Sequence, residues 1–364
     1  MRPSRNTCVD RTLRDSFISL VRLGIGRSTN VLPEIVDWQA VQTLAIQEGL
    51  ASVVLDGIEI SPVKNRPPKE FLLNWIGATM QEEQRYAIQW KTASELALFL
   101  KKESIGTYVL KGFTIAECYP KPSHRCSTDL DCFLKSDIGN SEIWEIGNFI
   151  IEQSGVKVDR NYYKNSTWYL PGLMVENHRW FTPFRGNKRL TKLEQLFQGM
   201  IIEDGGNDQI EGTWLNRPPV MLTALFLIEH AYSHFLHEGL NWRHVLDWMM
   251  FSKKHQKEID WPQFEEWIDN FGFREFYTSY YNLGKYLQGE IEEEDLTAKD
   301  KLMLADVWAP LDFHETVDGL NGKLNLASNT WRAGWKYREF TDMSWIRALW
   351  IQVKGFMFIK EPKL

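Results

Sequence analysis

Apolar residues recur at intervals of three and four through the first hundred positions, for example at Phe17, Leu20 and Val21. This spacing is typical of one face of an α-helix. A proline-rich stretch at 61–68 interrupts the pattern, and a long helical run follows at 70–102, as one helix or as two with a kink. The first part of the chain is therefore predicted to be helical.

The period of the pattern changes in the middle of the chain. Residues 107–110 are rich in β-forming side chains, 128–135 alternate between polar and apolar, and 172–180 alternate more weakly. A helix is predicted at 141–154, closed by Gly155, because helices often end in a left-handed glycine. These features predict a small mixed sheet with helices.

Helical spacing returns after about residue 190. Pro218 and Pro219 precede a strongly apolar helix at 220–236, and further helices are predicted at 244–254, 261–271 and 275–288. The acidic run at 290–295 predicts a solvated loop. We therefore expect an α+β protein with a helical region at 1–104, an α/β core at 105–189 and an all-helical region at 190–364.

Composition limits the functions that this chain can have. A hydrophobic content of 43% and sixteen tryptophans are ample for large cores. The net charge of −6 argues against a broad phosphate-neutralising surface, so there is no strong nucleic-acid signature. No apolar run reaches the roughly eighteen residues of a membrane span, and residues 1–27 lack the apolar core of a secretory signal. A cytoplasmic location with reduced cysteines is therefore predicted.

Two carboxylates in the predicted strand at 128–135 carry the clearest chemical signal. Asp129 and Asp131 are two residues apart, so they project from one face of the strand while Leu130 and Cys132 project from the other. Two neighbouring carboxylates repel each other unless a cation offsets the repulsion. Mg²⁺ or Mn²⁺ suits such a pair, because both take oxygen ligands and assist phosphoryl transfer. Asp129 and Asp131 are therefore predicted to bind metal and to be catalytic.

The next predicted strand contributes a third acid. Glu176 and His178 share one face of this strand, so either side chain can reach the same site. Glu176 is the candidate that completes a metal site or activates an acceptor hydroxyl, and His178 is a candidate accessory residue.

Phosphate-binding groups flank the acidic strand. Lys111 and Gly112 form a predicted turn whose backbone can approach a phosphate closely, because glycine has no Cβ. The helix expected after this turn offers free amide groups. Arg125, Ser127 and Thr128 supply a planar cation and two hydroxyls that can orient a triphosphate. These five residues are the predicted nucleotide-binding set.

A histidine-rich helix leaves several interpretations open. His230, His234 and His237 lie on one side of the helix at 220–236 and its end, which is compatible with a zinc site. No glutamate stands between these histidines as a metalloprotease motif requires, so packing or a position facing the nucleotide is favoured. Farther on, Arg243 is expected to pair with Asp247, and the alternative is that Arg243 or His244 reaches a phosphate from the helical region.

Asp-x-Asp triplets are common on solvated strand edges, so the triplet alone is weak support for catalysis. It gains weight here from the ordered combination of a glycine turn, a helix, an acidic strand and a later acidic strand. With these motifs the chain resembles the uncharacterised bacterial nucleotidyltransferases of the polymerase-beta-like superfamily. The residues that carry the resemblance are Leu110-Lys111-Gly112, Tyr119-Pro120, Arg125 and Asp129-Leu130-Asp131, with support from Asp37-Trp38, the strand around Glu176 and the histidine-rich helix.

The resemblance implies a nucleotidyltransferase core in which Asp129 and Asp131 bind metal and Glu176 is the third acid. Two departures stand out: Lys111-Gly112 replaces the usual Gly-Ser or Gly-Gly turn, and an extra residue precedes Trp180. The implied substrates are an NTP and an unknown hydroxyl-bearing acceptor, and a protein partner is a further candidate. The alternatives are a catalytically silent nucleotide-binding or regulatory module, and a metal hydrolase centred on His230 and His234.

Overall fold

The computed structural model describes residues 10–27, 36–136, 140–160, 163–184, 187–206, 208–309 and 328–358. Parts of the predicted N-terminal and C-terminal helical regions lie outside these residues, as do the side chains at 140–141 and 352–358.

Helices dominate both ends of the described chain, in agreement with the hydrophobic pattern. They are α1 (Arg11–Gly24), α2 (Trp38–Gln47), α3 (Ala51–Ile60), α4 (Lys69–Lys102), α5 (Phe113–Ala116), α6 (Asn140–Gln153), α7 (Lys188–Glu203), α8 (Val220–His237), α9 (Trp242–Lys254), α10 (Trp261–Asn270), α11 (Arg274–Gln288), α12 (Ala298–Trp308), α13 (Gly334–Phe340) and α14 (Trp345–Phe358). Short 3-10 turns lie at Val63–Asn65, Pro122–His124 and Glu293–Asp295. The long helical run is one helix, α4, and Gly155 follows α6 with a φ of +86°.

A mixed sheet occupies the middle of the chain. Its strands are β1 (Gly106–Val109), β2 (Asp129–Lys135), β3 (Val158–Asp159), β4 (Asn165–Leu170), β5 (Leu173–His178) and β6 (Leu215–Asn216). The strand order is β3-β4-β5-β2-β1-β6. Strand β2 pairs in parallel with β5 and antiparallel with β1, and β6 pairs in parallel with β1. The predicted α+β class, a mixed sheet flanked by helical regions, is confirmed.

Three strands were predicted from the sequence, β1 from its β-forming side chains and β2 and β5 from their alternation. The other three strands were not predicted. Strand β4 begins with Asn165, Ser166 and Thr167, which do not show the alternation of a half-buried strand. Its buried polar groups are satisfied inside the fold, because Asn148 Oδ1 accepts hydrogen bonds from Ser166 and Trp168. Strands β3 and β6 have two residues each, too few for a pattern, and β6 interrupts a region predicted to be all helical.

The two faces of β2 serve different purposes. Leu130, Cys132 and Leu134 are buried in a smaller core with residues of α4 and α6. Phe133 points the other way, into the larger core of helices, where its ring stacks on Phe181 at 4.6 Å between centroids. Asp129 and Asp131 share the face of Phe133 through the alternation of the strand. The carboxylates therefore face the helical part of the molecule.

The larger core joins the two ends of the chain. The ring of Phe17 on α1 meets Trp308 on α12 at 5.9 Å, and Trp308 meets Trp242 on α9 at 5.1 Å. The boundaries predicted at 104 and 189 stay predictions. Within the described ranges, no helix combines the length and apolar character that crossing a membrane requires.

Candidate active site

The register of two parallel strands brings the predicted acids together. Asp131 on β2 lies opposite Glu176 on β5, and Asp129 lies two residues before Asp131 on the same strand. His178, two residues after Glu176, reaches across to Asp131, with its Nε2 atom 3.0 Å from Asp131 Oδ1. Together with Lys111, these four residues form one side of a cleft, which we name the sheet wall.

Asp131 is buried but electrostatically satisfied. Its side chain is 3% exposed, with Oδ2 lying 3.2 Å from the Lys111 ammonium. Burial alone would raise the pKa of Asp131, but the charge of Lys111 and the hydrogen bond from His178 hold that pKa well below its usual range. Burial lowers the pKa of His178, but its contacts with Asp131 and Glu176 outweigh burial and raise that pKa above the usual histidine value. Asp131 is therefore ionised at neutral pH.

Asp129 is in a different environment. Burial raises its pKa, and the negative charge of Asp131 adds to that effect. Glu176 is more open, with a side chain that is 32% exposed and an oxygen 3.6 Å from His178 Nε2. The three carboxylates thus occupy one face of the sheet and border the cleft.

The Lys111-Gly112 turn follows β1 and adopts the shape expected from its sequence. Gly112 has a φ of +75°, a value that side chains other than glycine rarely adopt. A Cβ at this position would lie 3.7 Å from Ser127 Oγ, so the turn packs closely against the start of β2. The helix after the turn, α5, has only four residues, and all of them are buried.

The two hydroxyls before Asp129 are separated by the fold. Ser127 borders the cleft and donates a hydrogen bond of 3.0 Å to the carbonyl oxygen of Asp129. Thr128 is exposed and lines neither chamber of the cleft described below. Of these two members of the predicted nucleotide-binding set, the structure therefore places Ser127, but not Thr128, at the cleft.

Helices α8 and α9 form the opposite side of the cleft, which we name the helical wall: His230, His234, Arg243, His244 and Asp247. A buried ion pair ties this wall to the sheet side, because Arg125 donates to both carboxylate oxygens of Asp247 at 2.9 and 2.8 Å. Tyr119 also donates to Asp247, at 2.7 Å. The expected pairing of Arg243 with Asp247 is wrong, since Arg125 takes that place.

Arg243 has its own anchor. Its Nη1 donates to the carbonyl oxygen of Cys126 at 2.9 Å, and the side chain lines the cleft. Its charge also lowers the pKa of Asp129, although burial of Asp129 outweighs it. The side chain is thus held across the cleft from the acids, and its contact with a phosphate stays a prediction.

Three histidines of the helical wall form a compact group, but not the three expected. His230, His234 and His244 each offer a ring nitrogen, and these atoms lie within 4.8 Å of one another. His237 is exposed instead, and its Nδ1 bonds the carbonyl oxygen of Ser233. The Lys111 ammonium lies 3.2 Å from His230 Nε2, and burial and this charge push the pKa of His230 well below its usual value. This positive charge disfavours a metal ion among the histidines.

The two walls enclose two connected chambers. The inner chamber, of about 30 Å³, is bordered by Arg125, Ser127 and Arg243, among others. The outer chamber, of about 610 Å³, is bordered by Glu176 and His178. Four residues line both: Lys111, Asp129, Asp131 and His230. An elongated ligand with charged groups therefore has room beside the acidic pair.

Some residues of the cleft were missed from the sequence. Lys164 lies immediately before β4, a strand that the pattern did not predict, and lines the outer chamber. Glu229 also lines it, and its side chain is buried. The signal for Glu229 was present as a lone acid inside an otherwise apolar helix. His244 was considered only as a phosphate ligand, because sequence spacing cannot show that it packs against His234.

Comparison with known proteins finds one similar family. A family model described as an uncharacterised nucleotidyltransferase matches residues 34–285. That range contains the residues of both walls, from Lys111 to Asp247. No curated protein and no solved structure matches the chain.

Proposed function

Because the chain belongs to the family of uncharacterised nucleotidyltransferases, whose model matches more than half of its residues, we propose that it moves a nucleoside monophosphate from an NTP to a hydroxyl acceptor. The reaction depends on Mg²⁺ or Mn²⁺, and the core is of the polymerase-beta-like kind that the sequence resembles. The observation that carries the proposal is the convergence of Asp129, Asp131 and Glu176 on one sheet face beside Lys111. The cytoplasmic location predicted from the sequence belongs to the same proposal.

The donor atoms of the sheet wall fit a hard divalent cation. Carboxylate oxygens are the ligands that Mg²⁺ prefers. Burial and the neighbouring charge of Asp131 raise the pKa of Asp129, which is the strain that a bound cation relieves. Asp129 and Asp131 would hold the ion, with Glu176 as a third carboxylate. When bound, the ion supplies neutralisation of the charge on the triphosphate.

The remaining residues of the cleft divide the work of binding and proton transfer. Lys111, Arg243 and Ser127 bind phosphate oxygens, while Arg125 keeps the helical wall in position through Asp247. The acceptor oxygen bonds to the α-phosphorus, the bond from that phosphorus to the bridging oxygen breaks, and pyrophosphate leaves. Glu176, whose side chain is 32% exposed, takes the proton of the acceptor hydroxyl.

One observation favours a second candidate function. Asp131 already pairs with Lys111 and His178, so its charge is balanced without a metal ion. A protein with this arrangement could bind a nucleotide without turnover, as a regulatory module that acts through a protein partner. In the first candidate, Lys111 leaves Asp131 and pairs with a phosphate when the nucleotide binds. In the second candidate, Lys111 stays paired with Asp131.

The test is an incubation of the purified protein with α-labelled NTPs, Mg²⁺ or Mn²⁺, and a cell extract that supplies acceptors. We expect label to appear on an acceptor, and to be lost in Asp129→Asn and Asp131→Asn. Asp15→Asn is the matched control, because Asp15 is an exposed acid on α1 outside the cleft.

The outcomes separate the candidates. NTP binding without transfer, unaffected by either cation, favours the regulatory module. Label transfer that survives both substitutions contradicts the proposed role of the acidic pair. Stoichiometric zinc that is lost in His230→Ala would instead favour the metal hydrolase.

A further inference from the structure

A further cavity adjoins the outer chamber of the cleft along α8. It has a volume of about 160 Å³ and shares four lining residues with the outer chamber: Pro183, Glu229, Ser233 and His237. Its other walls come from α7, the segment between α10 and α11, and the two last helices. We name it the side pocket. A molecule that enters the outer chamber therefore has an apolar recess beside it.

The side pocket is mainly aromatic and aliphatic. Its apolar lining includes Leu190, Tyr232, Leu236, Phe271, Phe273 and Met343. The ring centroids of Tyr232 and Phe273 lie 5.1 Å apart, with an angle of 63° between the ring planes. These two rings form one aromatic side of the pocket. Apolar cavities of about 150 Å³ take up a benzene ring. The side pocket thus has the size and character to hold one ring or a short alkyl chain.

One charged group lies where the side pocket meets the cleft. Glu229 is 3% exposed and lines both cavities. No hydrogen bond or ion pair joins it to another residue within the described ranges, whereas Arg189, also in the lining, is paired with Asp342. Burial raises the pKa of Glu229 to about 7, although the charge of Lys164 opposes this. A buried carboxyl without a partner is costly unless a ligand supplies the missing donor.

The side pocket offers an apolar recess, and Glu229 offers a carboxyl group at its junction with the cleft. We therefore propose that the side pocket binds the acceptor and selects an amino alcohol with one apolar group. The apolar group fills the pocket, an ammonium group pairs with Glu229, and the hydroxyl extends into the outer chamber toward the acids. This proposal rests on the proposed function, in which the hydroxyl is the group that accepts the nucleoside monophosphate. The recognition of the apolar group and the ammonium group does not depend on catalysis.

Calorimetric titration of the full chain, without nucleotide or metal, tests this recognition. The probes are phenylalaninol, alaninol, which lacks the ring, and 3-phenylpropan-1-ol, which lacks the ammonium group. We expect phenylalaninol to bind about tenfold more tightly than either of the other two, because each lacks one interaction of more than about 1 kcal/mol.

Two substitutions assign the binding to the side pocket. Glu229→Gln keeps the shape of the side chain, and we expect it to abolish the advantage of phenylalaninol over 3-phenylpropan-1-ol. Ala348→Phe adds a ring to a buried position of the lining and should remove binding of both aromatic probes. Glu211→Gln, at an exposed acid, is the matched control, and circular dichroism confirms that each variant is folded.

The proposal is overturned if phenylalaninol binds no more tightly than alaninol, or if neither Glu229→Gln nor Ala348→Phe changes its affinity. Binding that persists in Asp129→Asn supports it, since Asp129 does not line the side pocket. If phenylalaninol binds as expected while no label transfer is detected, the failure belongs to the proposed function alone. Label transfer to acceptors without any binding of phenylalaninol is a failure of the acceptor proposal alone.

Discussion

The two walls of the cleft differ in charge and in how the chain builds them. The sheet wall is acidic and comes from β1, β2 and β5, where strand alternation and register determine which side chains meet. The helical wall carries Arg243 and three histidines, and depends on how α8 packs on α9. The carboxylates on one side and the Arg243 guanidinium on the other suit a cation and a triphosphate that lie between them. Local patterning therefore determines the acidic wall, to which we assign the metal ion, and tertiary packing determines the helical wall.

The largest expected effect is on kcat and distinguishes the sheet wall from the helical wall. Asp129→Asn should lower kcat by about a thousandfold or more, because it removes stabilisation worth several kcal/mol from the transition state. Arg243→Gln should mainly raise the KM for NTP. Steady-state kinetics with a labelled NTP measures both.

Thr128→Val is a sharp control for that comparison. Thr128 precedes Asp129 in sequence but is exposed and lines neither chamber, so neither constant should change. Equal losses of kcat in Asp129→Asn and Arg243→Gln would contradict the division of roles.

The next effect concerns the pair that holds the walls together. Asp247→Ala leaves the Arg125 guanidinium buried without its partner, and should reduce the free energy of unfolding by about 3 to 4 kcal/mol. The double variant Arg125→Met with Asp247→Leu should recover most of this loss, because both charges are then absent. Urea unfolding followed by tryptophan fluorescence measures it. A loss below about 1 kcal/mol, as at exposed ion pairs, would show that the walls are held together by other contacts.

The buried carboxyls of Asp131, on β2, and Glu229, on α8, should make the stability of the protein depend on pH in opposite directions. The pKa of Asp131 is lowered by Lys111 and His178, so its contribution to stability is present at neutral pH and lost in acid. Burial raises the pKa of Glu229 from 4.5 to about 7, so stability is lost as the pH rises through that window. Between pH 5 and pH 8, the free energy of unfolding of Glu229→Gln should therefore rise relative to that of the native protein, by up to about 3 kcal/mol.

Urea unfolding at the two pH values measures this gain, with Glu211→Gln as the control. An equal effect of Glu229→Gln at both pH values would mean that Glu229 keeps the same protonation state throughout the window.

The smallest effect tests the electrostatic contact between the walls. Burial, followed by the charge of Lys111, lowers the pKa of His230. Lys111→Met should therefore raise the pKa of His230 while leaving it below the usual histidine value, because the burial remains. Titration of the ring resonances by NMR measures this shift. An unchanged pKa would mean that Lys111 does not approach His230 in solution.

Much of the sheet wall could be predicted from sequence, for a clear physical reason. Alternation at 128–135 assigned Asp129 and Asp131 to one face, and the same rule brought Glu176 and His178 together. Pairing of β2 with β5 then joined the two sets, which required only that neighbouring strands meet. Gly112, with its positive φ, was likewise predicted as a turn.

The helical wall and the side pocket could not be predicted in this way. The bond between Arg125 and Asp247 joins residues far apart in sequence, and His244 meets His234 only because α9 packs against α8. Spacing along one helix suggested His237 instead, which is exposed and bonds the carbonyl oxygen of Ser233. Strand β4 was missed because its polar residues are satisfied by Asn148, a contact that no local pattern contains.

Binding of Mn²⁺ to the sheet wall tests the central claim most directly, and electron paramagnetic resonance detects it without need of an acceptor. In the presence of a non-hydrolysable NTP analogue, we predict that the protein takes up Mn²⁺, that Asp129→Asn and Asp131→Asn abolish this uptake, and that His230→Ala retains it. Uptake that survives both aspartate substitutions, or that is lost only in His230→Ala, would contradict a metal site on the sheet wall.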